Sequence, residues 1–417
     1  MKLKKLQNSI VKKILPFRYE LDDVTDTLVR GWAKSNHNNA CQVLVRLTSP
    51  TDSIIIVADR YRGDVRRAGQ HSTGFCGFNF DISSWKNKKV TITVLDELAN
   101  QVASDFSPVF FSHIPKTAGT SFKKAAQEYF GASGVARNYG KKSVETTQWI
   151  SKTLLEAQDY PGFYNRLCKD GISLYMGHTH LMPAANVFKA VKLVTFLRDP
   201  IEQVLSHYNH YCRWYNYDKS VAEFVATAGF KNLQSRFLKG VPLQLVGLIG
   251  ITEKYDQSIT LYNNLTQHNL KSRVDNVNDK KTLTSIDSEL KELIKLENKQ
   301  DLEIYSWAKQ VFDDRLSNLK ENKPWCFGFI DKQKEGFITG VAYWCETEEK
   351  IELVACLGMK EVGRGIANLI RPELVRFGVP NKGFIGFRFS FSKDIEVRNI
   401  KIKVATTGQV LNVVKYS

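Results

Sequence analysis

His113-Ile114-Pro115-Lys116-Thr117-Ala118-Gly119-Thr120-Ser121 stands between an apolar run, Val109 to Phe111, and a segment with helical periodicity. A strand that ends in a Lys/Thr/Gly/Thr/Ser loop and passes straight into a helix aims backbone N–H groups, hydroxyls and an ammonium at one spot, where the helix N-terminus adds partial positive charge. The stretch reads as a cradle for a phosphate or a sulfate. Phe122, Ala125, Ala126, Tyr129 and Phe130 recur at helical spacing and place the helix, which Gly131 ends. Gly119 is expected to let the backbone approach the anion, and Pro115 to close the strand and fix the turn. The loop lacks the Gly-Lys-[Ser/Thr] ending of a Walker A motif, because Lys116 precedes Gly119.

A second strand-to-helix junction follows in Leu193-Val194-Thr195-Phe196-Leu197-Arg198-Asp199-Pro200-Ile201-Glu202-Gln203-Val204-Leu205-Ser206. Asp199 suits an N-cap, Pro200 the first helical position, and Glu202 completes a capping-box spacing. Ile201, Val204, Leu205 and Tyr208 give this helix its expected buried face. Arg198 is left at the strand tip, on the edge of a parallel sheet where ligands bind. The alternative for Arg198 is a surface ion pair with a nearby acid.

The order Pro-Lys-Thr-x-Gly-Thr-Ser after a strand, followed by Arg-Asp-Pro and a Ser eight residues after the Arg, resembles the two nucleotide signatures of sulfotransferases that use 3′-phosphoadenosine 5′-phosphosulfate (PAPS). The resemblance is to the carbohydrate branch that includes the heparan sulfate 2-O-sulfotransferases, and it covers the central half of the chain. It implies an α/β, P-loop-like three-layer domain with a parallel sheet. It also implies that Lys116, Thr117, Ala118, Gly119, Thr120 and Ser121 hold the 5′-phosphosulfate and that Arg198 and Ser206 hold the 3′-phosphate, with PAP as product.

Sulfuryl transfer needs the acceptor oxygen, sulfur and leaving oxygen nearly in line, with charge growing on the leaving group. Lys116 is the natural cation for that oxygen. The expected base is His178, in Ile172-Ser173-Leu174-Tyr175-Met176-Gly177-His178-Thr179-His180, a short apolar strand ending in Gly-His. Members of the resembled branch carry a catalytic His in such a pair and a further His just before the Gly. This chain has Met176 there, so any accessory role is absent or has passed to His180. The competing reading of His178 is a loop histidine satisfied by its neighbours. His113 is expected to orient the loop or cap the strand. His178/His180 and His207/His210 are the only imaginable metal set; no Cys-x-x-Cys accompanies them and no metal is expected.

Further on, Val246 to Tyr255 reads as a buried strand turning into a helix capped by Thr252. Arg236, in Asn232-Leu233-Gln234-Ser235-Arg236, is a lesser candidate for an anionic group. Ile286 to Leu319, with charges alternating around Leu, Ile and Trp, reads as one or two long helices.

Sliding the chain against itself finds a repeat at an offset of 309 positions: Gly31 meets Gly340, Ala33 meets Ala342, and Gly74-Phe75-Cys76-Gly77-Phe78-Asn79-Phe80 meets Gly383-Phe384-Ile385-Gly386-Phe387-Arg388-Phe389. Each copy alternates apolar and polar residues between Gly, Asn and Asp turns, as a small antiparallel β-sandwich does. Arg62 and Arg371 occupy equivalent places and are expected to pair with Asp64 and Glu373, ligand contact being the alternative. The plan is a β-sandwich module at 1–105, the α/β domain at 106–322 and a second sandwich at 323–417, which suits a chain of 417 residues.

A net charge of +16 fits a polyanionic donor and an acidic polysaccharide acceptor, and no nucleic-acid-binding motif accompanies it. Residues 1–18 carry six Lys/Arg and no acid; they are expected either to touch an anionic membrane surface or to form a solvated arm. No run is apolar enough to span a bilayer or act as a secretory signal. Seven cysteines without framework spacing suit a reducing compartment. The expectation is a cytoplasmic, bacterial enzyme, peripheral at most to the inner membrane face, acting on a polysaccharide or lipid-linked glycan. An ATP-dependent kinase of similar fold and an inactive glycan-binding protein are the competing classes.

Overall fold

Residues 17–36, 42–49, 53–85, 91–97, 107–185, 187–272, 287–345, 347–392 and 395–414 are described by a computed structural model. Nearly all of the basic arm at 1–18 lies outside them. Among the described residues no helix is long and apolar enough to cross a membrane.

The chain opens with β1 (Phe17–Val24), β2 (Leu28–Ser35), β3 (Val43–Thr48), β4 (Ser53–Val57), β5 (Arg60–Tyr61), β6 (Phe75–Asp81) and β7 (Thr91–Glu97). They pair antiparallel into two sheets, ordered β1-β2-β6-β5 and β4-β3-β7. Next come β8 (Val109–Ser112), β9 (Val135–Asn138), β10 (Leu174–Gly177), β11 (Leu193–Leu197) and β12 (Leu248–Ile251). All pair in parallel, in the order β12-β11-β8-β10-β9. The last set is β13 (Phe327–Lys334), β14 (Phe337–Tyr343), β15 (Glu352–Leu357), β16 (Lys360–Ile366), β17 (Leu369–Ile370), β18 (Phe384–Ser390) and β19 (Ile400–Val404), again antiparallel, in sheets β13-β14-β18-β17 and β16-β15-β19.

The central strands are covered on both faces, and so read as continuous apolar runs rather than alternating ones: every residue of β8, β10 and β11 is buried. The covering helices include α1 (Gly119–Phe130), α2 (Tyr160–Lys169), α3 (Pro200–Tyr215), α4 (Leu233–Leu238), α5 (Tyr255–Thr266), α6 (Ser288–Glu297) and α7 (Lys299–Lys320). Phe122 of α1 stacks on Phe111 of β8, ring centroids 4.1 Å apart, with Phe196 of β11 edge-on to both. Gly131 ends α1 at φ 75°, as its position suggests. Tyr129 departs from the expected buried face of α1 and is exposed. Thr252 does not cap α5: a 3₁₀ turn intervenes, Lys254 takes the cap position and the Thr252 hydroxyl has no partner.

The two ends of the chain share more than strand order. Asp22 and Asp331 each sit in a bulge of the first strand, and each meets the guanidinium of the equivalent arginine. Arg62 pairs with Asp22 and donates from Nε to Asp64 at 2.9 Å. Arg371 donates to Asp331 at 2.8 Å, to Glu373 at 2.6 Å and to the Gly340 carbonyl at 3.1 Å. A bulge re-aims one side chain and sharpens local twist, and the forked guanidinium fixes it there. The ends differ in one respect: Phe327, Phe329, Val341 and Tyr343 of β13 and β14 join the core of the parallel-sheet region, whereas β2, β3 and β6 keep a core of their own around Phe78 and Phe80. Removing the clasp with Arg371→Ala should cost about 1–3 kcal/mol in the denaturant transition that carries β13 to β19, and Arg371→Lys, which cannot fork, should recover less than half; an unchanged transition in Arg371→Ala would show the clasp contributes nothing.

Candidate active site

The C-terminal ends of three neighbouring strands, β10, β8 and β11, deliver His178, the 113–121 loop and Arg198 to one edge of the sheet. Register keeps the ends level: Gly177 pairs with Ser112 across β10 and β8, and Thr195 with Ser112 across β11 and β8. Side chains tie the loops together. Gln203 of α3 donates to the Pro115 carbonyl at 3.0 Å, and the Arg198 guanidinium lies 3.4 Å from the Lys116 carbonyl.

Lys116 and Ala118 both adopt positive φ, 69° and 64°, on either side of Thr117. Residues with a Cβ resist that conformation at a cost of about 1–2 kcal/mol each, and alternating handedness turns successive N–H groups into one concavity. Among the described residues no acceptor receives the N–H groups of Ala118, Gly119, Thr120 and Ser121. The sharp turn therefore comes from Lys116 and Ala118 rather than from Gly119. Gly119 is required for another reason: a Cβ there would lie 1.9 Å from Cδ2 of His113. The Thr117 hydroxyl is fully buried and donates to the Ile114 carbonyl at 2.9 Å, so this side chain is spent within the loop and only its backbone faces outward. Thr120 is exposed and Ser121 buried on the first turn of α1.

Asp199 caps α3 as its type suggests, accepting from the N–H groups of Ile201 and Glu202. Glu202 does not close a capping box: the Asp199 N–H goes to Glu253 at 2.8 Å, and the Glu202 carboxylate lies 3.3 Å from the Arg198 guanidinium. Burial pushes the Glu202 carboxyl above its usual range even though Arg198 opposes it. Gln234 of α4 pins the Arg198 backbone from both sides, accepting from its N–H and donating to its carbonyl at 2.9 Å each, and Asp301 holds Gln234 and Ser235 in turn. The Ser206 hydroxyl is buried without a partner. Burial lowers the Lys116 pKa, and Arg198 and Arg213 lower it further. Positive groups crowd this edge, and among the described residues no acid pairs with Lys116, which is the field an anion fills.

His178 Nδ1 lies 2.7 Å from the His113 carbonyl oxygen. A carbonyl only accepts, so Nδ1 carries the proton and the neutral ring presents a lone pair at Nε2. The ring keeps exposed surface, yet the surrounding cleft lowers its pKa below the usual 6.5 by desolvation, against the raising effects of the His113 bond and Glu145. His113 itself is buried, 4.6 Å from the His178 ring, with the Tyr139 hydroxyl 3.2 Å from its Nδ1; desolvation and the neighbouring His178, Lys123 and Lys116 hold it neutral. His180 turns away and stacks on Phe237 at 4.4 Å. His207 is enclosed by Tyr211, Phe224 and Phe230 and drops to about 4 through burial. Arg236 does not reach the site: its guanidinium staples the carbonyls of Ala228 and Gly229. Among the described residues no three His, Cys, Asp or Glu gather as a metal site would.

Two features suit an anionic ligand: among the described residues the amides of Ala118 to Ser121 have no acceptor, and the buried hydroxyl of Ser206, on the helix that follows Arg198, has no partner. Sequence reasoning missed Gln203, Gln234, Tyr139 and Lys123. Only Gln234 had a local signal, its place in the Asn232–Arg236 segment.

No protein-family model matches the chain, and no curated protein matches it. Among solved structures, a sulfotransferase from Alicyclobacillus acidocaldarius is similar at 15% identity and a TM-score of 0.27, covering 52% of this chain and 97% of its own.

Because the Ser206 hydroxyl is buried and unpaired, Ser206→Ala should leave the ligand-free protein as stable as the native chain or more so, by up to about 1 kcal/mol; a clear loss of stability in equilibrium unfolding would mean the hydroxyl has a structural partner.

Proposed function

We propose that this chain is a PAPS-dependent O-sulfotransferase acting on a carbohydrate hydroxyl, its acceptor a polysaccharide or lipid-linked glycan. One juxtaposition carries the reading: a strained, amide-lined loop with Lys116, an arginine and a histidine whose Nε2 is free stand on the ends of adjacent parallel strands, and the helix that follows Arg198 carries a buried serine hydroxyl with no partner among the described residues. Bound PAPS would supply a sulfuryl group whose bond to the 5′-phosphate oxygen breaks as one to the acceptor oxygen forms. The Ala118 to Ser121 amides and the Lys116 ammonium stabilise charge on the leaving phosphate side. Arg198 and Ser206 grip the 3′-phosphate and so fix the direction in which the nucleotide lies. His178 Nε2 takes the acceptor's proton, and its Nδ1–H stays on the His113 carbonyl, which holds the imidazolium in place. We read the two flanking pairs of sheets as repeated β-sandwich modules around residues 106–322, positioning the glycan.

Purified protein should bind 3′-phosphoadenosine 5′-phosphate in preference to ATP by calorimetry. Ser206→Ala, Lys116→Ala and Arg198→Ala should each weaken that binding by about tenfold or more, from the loss of hydrogen bonds to charged groups. His178→Ala should abolish transfer of labelled sulfate to glycan acceptors while leaving nucleotide affinity nearly unchanged. A preference for ATP, or retained turnover in His178→Ala, rejects the reading.

The pH dependence carries a sign. A base must be unprotonated, and the His178 pKa is lowered, so kcat/KM should rise with pH along a limb whose midpoint lies below 6.5 and be flat through neutrality; a limb centred above 6.5 would point to another base.

A further inference from the structure

At the opposite end of β12 from the cleft, where α7 meets the C-terminal strands, lies a cavity of about 50 Å³ whose walls include Gln244, Trp307, Phe312, Arg315, Trp325 and Gln409. Arg315 is only 7% exposed. Its guanidinium donates to the Gly247 carbonyl and lies 5.9 and 5.4 Å from the ring centroids of Trp325 and Phe327. Among the described residues it has no carboxylate partner, and burial lowers its pKa to about 10. Buried charges are ordinarily paired, and two aromatic faces offset only part of the cost of desolvating a guanidinium.

Two further groups on the same walls are incomplete. Both polar atoms of the Gln244 carboxamide, and the indole N–H of Trp307, are buried without a partner. The opposite wall is rigid, because Gln409 exchanges hydrogen bonds with the backbone N–H and carbonyl of Cys326 at 2.9 and 2.8 Å. A guanidinium, an indole N–H and an amide N–H lining one small cavity are three donors for one acceptor-rich group. Water would satisfy the amide and the indole, and a space of this size admits several, but water does not neutralise the arginine.

We propose that this cavity binds an anionic group of carboxylate or oxyanion type, paired with Arg315 and hydrogen-bonded by Trp307 and Gln244. The anion comes either free or as the acidic end of a larger ligand, since Trp307 also borders an adjoining open groove with Glu303, Ser306, Gln310 and Asn412. The site is separate from the strand-end cleft, and its test does not use the proposed activity.

Thermal unfolding is followed while sodium acetate, sodium sulfate or sodium glucuronate is titrated, ionic strength being held with a bulky sulfonate too large for the cavity. The expected result is a saturable rise in Tm that persists in Lys116→Ala, where the strand-end loop is disabled, and vanishes in Arg315→Met. Arg315→Met without added anion should melt no lower than the native chain. Trp307→Phe and Gln244→Leu, which carry the test if Arg315→Met does not fold, should raise the half-saturating concentration several-fold. Glucuronate saturating at least tenfold below acetate supports a larger ligand that uses the groove; equal midpoints support a free anion. Absence of a saturable shift with all three salts, which is the behaviour of a water-filled cavity, overturns the proposal. So does a shift that Arg315→Met leaves intact, or one that Lys116→Ala removes.

Discussion

The position of β8, hydrogen-bonded in parallel to β10 on one side and to β11 on the other, is the constraint on which the cleft depends. Three chain segments, 113–121, 178 and 198, meet only because these strands end level with one another. Parallel pairing also buries both faces of each strand, so the edge residues have a fixed platform beneath them and the loops inherit its precision. Side-chain amides complete the alignment. Gln203 binds the first loop and Gln234 the second, and each does so through the loop backbone rather than through the Lys116 or Arg198 side chain.

His113 links the first loop to His178. Its ring fills the space that Gly119 leaves open beneath the first turn of α1, and its carbonyl fixes the His178 tautomer. The 113–121 loop and His178 are thus registered to one residue, the first by its ring and the second by its carbonyl. Its burial and the surrounding cations keep His113 uncharged, so it shapes the cleft without adding to the positive field.

Much of this was legible in the sequence because it is local. The strand ends at Ser112, Gly177 and Leu197, the Asp199 cap, the Gly131 stop and the pairing of Arg62 and Arg371 with neighbouring acids all follow from residue type within a few positions. What was not legible depends on neighbours distant in the chain. Nothing adjacent to Gly119 announces that an imidazole will lie against it, and positive φ at Lys116 and Ala118 is imposed on residues that do not favour it. Glu202 was misassigned because Glu253, distant in the chain, takes the Asp199 N–H, and Arg236 because the carbonyls of the preceding turn, Ala228 and Gly229, hold its guanidinium. Nothing in the residues around Gln203 or Gln234 announces the amide contacts they make, since a bridge between loops exists only once the sheet has brought them together.

The sheets at the two ends follow the same strand order, yet they have unequal standing. One closes on an interior of its own, while the other lends a face of β13 and β14 to the interior of its neighbour. The carboxyl-terminal set has thereby become a retaining wall of the parallel-sheet region, and its seam with α7 is part of that wall. The amino-terminal set keeps a core to itself and meets the carboxyl-terminal set through β6, which lies against the turn at Pro372–Phe377.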